Sequence, residues 1–168
     1  MKKVWAVSSA LALSLALGAC SGGGDQSSEK EQDAAASTAE QTNPKKALVR
    51  FYMDLTNQIN EQDVDLNTYV NTEEKTDELK TAAAQSASTV AEGLKKVEIP
   101  ADLKEQKEDI KAALKDFSTS YELKAEELKK GEPSFEEADQ TFLTGQEKLG
   151  TVFESVELLK PDLSKEVN

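Results

Sequence analysis

The sequence predicts an all-α protein, an up-down-up-down four-helix bundle that follows a disordered tether. After residue 43, apolar residues recur at alternating spacings of three and four along four segments, which is the period of an amphipathic helix. No segment alternates apolar and polar residues in the way that a half-buried strand does. Short connections between four such helices favour a bundle, because it buries all four apolar stripes in one core.

The first segment is a predominantly apolar run of fourteen residues, 4–17, behind Lys2 and Lys3. A helix that crosses a membrane needs about 20 apolar residues, so a stable span is not expected. A basic start, a short apolar run and small residues at its end are typical of a secretory signal peptide. The run leads directly to Cys20, the only cysteine of the chain.

The end of this segment resembles the lipobox of bacterial lipoproteins, with Leu17, Gly18, Ala19 and Cys20 matching it position by position. The resemblance implies that residues 1–19 are removed as a lipoprotein signal peptide and that the Cys20 sulfur carries diacylglycerol, with acyl chains such as palmitate. It therefore implies lipid anchoring to the extracytoplasmic face of the cell membrane. The alternative is an ordinary secretory signal with an incidental cysteine.

Residues 20–43 are predicted to form the lipidated cysteine and a flexible linker. Residues 21–43 contain no aromatic and no large aliphatic side chain, so this stretch cannot bury a core. Its root-mean-square reach as a flexible coil is about 25 Å. The remaining residues, 44–168, are enough for one helical bundle domain.

The first helix is predicted to begin at Asn43 as N-cap and Pro44 as first helical residue. Its apolar stripe consists of Leu48, Phe51, Tyr52, Leu55 and Ile59.

The second helix has a stripe of mostly small residues, which permits close approach of a neighbouring helix, and is predicted to end before Pro100. That stripe is Leu79, Ala83, Ser86, Val90, Leu94 and Val97. The following VEIPADLKE, residues 97–105, resembles the proline-centred hinge of uncharacterised helical lipoproteins of Gram-positive bacteria.

The third helix is predicted to end at Gly131 and Pro133, a glycine-then-proline signal. Its stripe is Leu103, Ile110, Leu114, Phe117, Tyr121 and Leu128.

The fourth helix is predicted to start with a capping box of Ser134 and Glu137. Gly145 and Gly150 indicate either close helix packing and simple tolerance, or a kink or ligand notch. The stripe is Phe135, Ala138, Phe142, Gly145, Leu149, Val152, Val156 and Leu159.

Charge and composition argue against several functions. The net charge of −12 becomes −14 without residues 1–19, and such an acidic protein is a poor partner for nucleic acid. The chain has no histidine, so serine–histidine and cysteine–histidine relays are impossible, and the resemblance to a lipobox implies that Cys20 is used for the anchor. We therefore expect no catalytic residues and no cofactor, and a binding or accessory component of the cell envelope whose partner is another envelope protein, a peptide or a cation. A hydrolase would instead need a cleft with a perturbed carboxylate.

Four lysines of the third helix fall near one another, in a segment that also contains several acidic residues. They indicate either a site for an anionic group or a solvated face of mixed charge. These are Lys104, Lys107, Lys111 and Lys115.

The connection DVDLNTYVNTEE, residues 63–74, resembles the calcium-binding loop of an EF-hand. Thr68 occupies the sixth loop position, where the turn requires glycine. The segment is therefore either a low-affinity calcium site or a plain connection with an extra helical turn at Leu66, Tyr69 and Val70. The candidate metal ligands are Asp63, Asp65, Asn67 and Glu74, with Asn71 at the ninth position.

Overall fold

The computed structural model describes residues 43–167. The predicted signal peptide, the lipobox and the linker up to residue 42 lie outside the described residues. Within 43–167 the chain forms six α-helices, one turn of 3-10 helix and no strand, so the all-α prediction is confirmed. The helices are α1 (Pro44–Gln62), α2 (Val64–Asn71), α3 (Asp77–Lys95), α4 (Lys107–Glu127), α5 (Glu136–Ser155) and α6 (Leu163–Glu166), and the 3-10 turn is Ala101–Leu103.

The start of α1 is as predicted. Asn43 accepts a hydrogen bond from the backbone N–H of Lys46 at 3.1 Å, and Pro44 occupies the first helical position. Because the first N–H groups of a helix have no partner within it, this side-chain cap stabilises the helix start. The apolar stripe then turns into the core, with Leu48 and Ile59 fully buried.

The small residues of α3 lie against the rest of the core. Ala83 and Ala87 are fully buried. Ser86 is also buried and donates a hydrogen bond to the carbonyl oxygen of Gln62 at 2.6 Å, which ties the middle of α3 to the end of α1. The buried hydroxyl is therefore satisfied by a backbone acceptor.

The third predicted helix starts later than its apolar pattern suggests. Leu103 is fully buried but belongs to the 3-10 turn, which packs against α1, and α4 begins at Lys107. Pro100 disfavours helical backbone at the residue before it, and the following residues tighten into the 3-10 turn. Leu103 therefore packs in the core from a separate turn.

The predicted capping box of α5 does not form. The N-cap residue is Phe135, which makes no side-chain cap hydrogen bond. The backbone N–H of Ser134 donates instead to Glu127 Oε2 at 3.2 Å. The Glu127 carboxylate at the end of α4 thus accepts the hydrogen bond from the Ser134 N–H, which Glu137 would accept in a capping box.

The end of α5 also differs from the prediction, which carried the helix through Leu159. The helix ends at Ser155, and Glu157 adopts a left-handed backbone with φ of 56°. The N–H of Leu158 donates to the carbonyl oxygen of Phe153 at 2.9 Å, as in a Schellman motif. Leu159 consequently lies outside the helix and is 92% exposed.

The core joins the first and last long helices and includes the short helix α6, which the sequence pattern did not predict. The rings of Tyr52 in α1 and Phe153 in α5 meet edge to face, with 5.6 Å between their centroids. Leu163 of α6 is fully buried. The rings of Phe117 and Phe142 pack between α4 and α5, with 4.9 Å between their centroids.

None of the helices in residues 43–167 is both long and apolar enough to cross a membrane.

Candidate functional site

A cavity of about 340 Å³ opens between α2, α4, α5 and the segment that contains α6. Its volume lies within the range of about 300–1,000 Å³ that is common for small-molecule sites. Apolar side chains form much of its wall, and a few charged and amide groups converge on it. The polar lining residues are Asp63, Asn67, Asn71, Tyr121, Lys124, Asp139 and Ser164, and the apolar ones are Leu66, Val70, Phe135, Phe142, Leu143 and Val167.

Asp63 lines this cavity at the junction of α1 and α2 and is only 2% exposed. Its backbone N–H donates to Ile59 at 2.9 Å, and its backbone carbonyl accepts from the N–H of Asn67 at 2.9 Å. The end of α1 and the start of α2 therefore fix its position. The Tyr121 hydroxyl of α4 donates to Asp63 Oδ2 at 3.3 Å.

The second oxygen of this carboxyl group, Oδ1, is buried and has no hydrogen-bond partner among the described residues. Asn67 Nδ2 is buried with no such partner either. Buried polar groups in native proteins are nearly always paired, and an unpaired one costs about 1–3 kcal/mol. Asn67 Nδ2 and Asp63 Oδ1 are a complementary donor and acceptor, and the Asn67 side chain interacts with the Asp63 carboxyl group without a hydrogen bond of normal geometry. Both groups therefore retain a capacity to bond to a ligand in the cavity.

Burial raises the pKa of the Asp63 carboxyl, and the neighbouring Asn67 and Tyr121 side chains oppose that shift by favouring the charged form. Burial and the facing Asp63 carboxylate together raise the pKa of the Tyr121 phenol. The phenol therefore keeps its proton and remains a hydrogen-bond donor. A carboxyl group with a raised pKa in a cavity is one of the features that mark functional sites.

Lys124 brings the only ammonium group to the part of the cavity that the structure describes. Its Nζ pairs with Asp139 Oδ1 at 2.9 Å, and the lysine side chain is only 19% exposed. The same Nζ lies 5.6 Å from the Tyr121 ring centroid and 5.9 Å from that of Phe135. The site therefore holds a cation over two aromatic faces, which is a favourable arrangement for positive charge.

Two exposed apolar side chains lie at the rim of the cavity. Val70 of α2 is 50% exposed, and Leu143 of α5 is 47% exposed. Apolar walls with a few fixed polar groups suit the binding and orientation of a small ligand.

The structure brings together only part of the predicted metal-ligand set. Asp63 and Asn67 both line the cavity, whereas Asp65 and Glu74 are exposed and do not. Helix α2 occupies positions 64–71 of the segment, so its backbone follows the alternative interpretation of an extra helical turn. No three acidic, histidine or cysteine side chains within 43–167 are grouped so as to hold a metal ion. Calcium binding by this segment stays a prediction.

The sequence pattern does not indicate the residues that complete the site. Tyr121 belongs to the apolar stripe of the third predicted helix, and Lys124 and Asp139 belong to no motif of the sequence. The packing of α4 and α5 brings these three residues to the Asp63 cavity, and no local sequence pattern indicates it. Phe135 and Phe142 were recognised as apolar residues of one stripe, and both line the cavity as well as packing against the core.

No protein-family model, no curated protein and no solved structure matches the chain.

Proposed function

We propose that this chain is a lipoprotein anchored through Cys20 on the extracytoplasmic face of the cell membrane, and that its helical domain is a non-catalytic binding component of the cell envelope. The lipobox of Leu17, Gly18, Ala19 and Cys20 supports the anchor. Two or more acyl chains hold a protein stably at a membrane, whereas one does so only marginally.

In this proposal the four long helices, α1, α3, α4 and α5, run up, down, up and down around the core. The contact of Tyr52 with Phe153, which joins α1 to α5, supports that arrangement. Helices α2 and α6 then cover one part of the bundle and leave the Asp63 cavity between them and the long helices.

The observation that carries the binding role is the buried Asp63 carboxyl at the wall of this cavity, with one oxygen unpaired. A domain that only spaced other components has no need of a buried carboxyl group at a cavity wall, because burying a group that can ionise costs free energy. A ligand that donates a hydrogen bond to Asp63 removes that cost. Asp63 is a perturbed carboxyl group in a cavity, the feature that a hydrolase would need. The chain has no histidine and no free thiol once Cys20 is lipidated, and the other carboxylate that lines the cavity, Asp139, pairs with Lys124. These observations favour binding over catalysis.

One mass-spectrometry experiment tests both parts of the proposal. Under denaturing conditions, the chain from the membrane fraction is expected to begin at Cys20 and to carry the mass of a diacylglyceryl group, and Cys20→Ser should abolish this mass and the membrane retention.

Under native conditions, the chain should carry an additional small molecule. Asp63→Asn should reduce its occupancy, whereas Asp54→Asn, the same change on an exposed face of α1, should not. An unmodified Cys20 would refute the anchor, and equal occupancy in both variants would refute the site.

A further inference from the structure

A second groove lies between the end of α3, the connection that follows it and α4, and it shares no lining residue with the Asp63 cavity. Its volume is about 720 Å³. Leu94 and Leu114 form a buried floor, and Val97 and Ile99 of the connection add partly buried apolar surface. The groove therefore presents a continuous apolar strip to a ligand.

Lysine side chains surround this strip. Lys107, Lys111 and Lys115 follow one another at intervals of four along α4, so they lie on one face of the helix, and Lys95 of α3 also lines the groove. Three of these four are among the lysines that the sequence pattern singled out. Lys104, the fourth member of that set, does not line the groove.

Two of the lysines are already paired. Lys111 contacts Glu108 at 2.8 Å, and Lys95 forms an ion pair with Glu122. Lys107 and Lys115 are exposed and have no ion-pair partner among residues 43–167. Two ammonium groups thus remain available to an incoming anion.

The charge balance of the groove is opposite to that of the chain. Four lysines and two glutamates line it, and Glu108 beside it pairs with Lys111 and interacts with Lys107. These groups leave an excess of one positive charge, whereas the whole chain has 20 basic and 32 acidic residues. Charges beyond the Debye length of about 8 Å are largely screened at physiological salt, so a ligand in the groove responds mainly to these nearby lysines.

We propose that this groove binds a small anionic amphiphile, a molecule with an acidic head group and an apolar body. The head group lies between Lys107, Lys111 and Lys115, where ammonium groups can donate charge-assisted hydrogen bonds to it. The apolar body covers Leu94 and Leu114. This binding is independent of the Asp63 site and of the anchor.

The test uses the purified full chain and 8-anilinonaphthalene-1-sulfonate, a water-soluble anionic amphiphile whose fluorescence rises in apolar surroundings. The triple variant Lys107→Gln/Lys111→Gln/Lys115→Gln should lower the affinity for this probe about tenfold, since each exposed charge contact contributes modestly. The matched control Lys45→Gln/Lys129→Gln/Lys130→Gln removes the same charge from exposed lysines outside the groove, and it should change the affinity less than about twofold.

Two further measurements separate this site from a general effect of charge or unfolding. Glu98→Gln removes an acidic residue from the groove and should raise the affinity for the sulfonate. Nile red, an uncharged apolar dye, should bind all variants equally, and circular dichroism should show the same helix content in each. Any of three results would overturn the proposal. Both triple variants could lose affinity for the sulfonate equally, or they could lose Nile red binding in parallel. The unmodified chain could also show no saturable binding of the sulfonate.

Discussion

The Tyr121 hydroxyl donates a hydrogen bond to Asp63 Oδ2 across 3.3 Å and thereby links α4 to the junction of α1 and α2. Asp63 is almost completely buried at this junction, while its other oxygen is unpaired. The pair therefore combines a structural contact with a remaining capacity to accept a hydrogen bond.

The pH dependence of stability tests this description of Asp63. Folding raises the pKa of Asp63 above its ordinary value of 3.8, chiefly by burial, so the folded state holds the proton more tightly than the unfolded chain. The Asp63 contribution to stability is therefore fully present below pH 3.8 and is lost as the pH rises through the raised folded pKa. Because asparagine does not ionise, the Asp63→Asn variant should not lose this stability as the pH rises.

Chemical denaturation at a series of pH values gives the free energy of unfolding for the wild type and for Asp63→Asn. The variant should gain stability relative to the wild type as the pH rises through this window, and the difference should then become constant. Asp54→Asn provides the exposed control. If the free energies of unfolding of Asp63→Asn and the wild type differ by the same amount at every pH, burial does not perturb the pKa of Asp63.

A second prediction compares the two glycines of α5. An added Cβ at Gly145 would lie 2.9 Å from two ring atoms of Phe117, which is fully buried and cannot move aside. Gly145→Ala should therefore cost about 1–3 kcal/mol of stability through overpacking. At Gly150 the nearest atom is Lys160 Cδ at 3.0 Å, in a flexible side chain, so Gly150→Ala should be neutral or stabilise the helix by up to about 1 kcal/mol.

Thermal or chemical unfolding of the two alanine variants measures this difference. The close contact supports the interpretation of Gly145 as a packing residue. Equal stability of Gly145→Ala and Gly150→Ala would contradict it.

A third prediction concerns Glu157, which follows the end of α5 with a left-handed backbone. Because a side chain makes that conformation unfavourable, Glu157→Gly should be more stable than Glu157→Ala by about 1 kcal/mol. Both variants lose the exposed contact with Lys45 at 2.7 Å, so this comparison isolates the backbone effect. Denaturant midpoints are the measurement, and an alanine variant that equals or exceeds the glycine variant would argue against the left-handed turn.

A fourth prediction concerns calcium. Specific binding at ten times the dissociation constant would stabilise the domain by about 1.4 kcal/mol. Because α2 is helical where a calcium loop would wrap the ion, we expect only a small rise in melting temperature, equal for calcium and magnesium, from screening of the acidic surface. Glu74→Gln and Asp65→Asn should leave that rise unchanged. A calcium-selective rise that both variants abolish would make metal binding the leading function.

The start of α1 could be predicted because its signals are local. Asn43 and Pro44 are a cap and a first-turn residue, and both act as such. The end of α5 could not be predicted, because Glu157 occupies the position where glycine normally signals a helix end. The apolar spacing meanwhile continues to Leu159, beyond the turn.

The sequence predicts only part of the candidate site, because it reveals residues that cluster in one connection but not contacts between distant helices. Asp63 and Asn67 stood out because acidic and amide side chains clustered in one connection. Tyr121 and Lys124 lie about 60 positions further along the chain, and they reach Asp63 and its cavity through helix packing, which the spacing of apolar residues does not specify. The same cluster suggested calcium because composition alone does not reveal which side chains face one another.

Photo-crosslinking in intact cells tests whether the Asp63 cavity holds a small-molecule ligand at the membrane. A photoreactive amino acid is placed at Leu143, on the cavity rim, or at Met53, which is 58% exposed on α1 and does not line this cavity. We predict an adduct of defined mass from position 143 that is absent from position 53 and is lost in Asp63→Asn. The same adducts from both positions, or none from position 143, would contradict the claim.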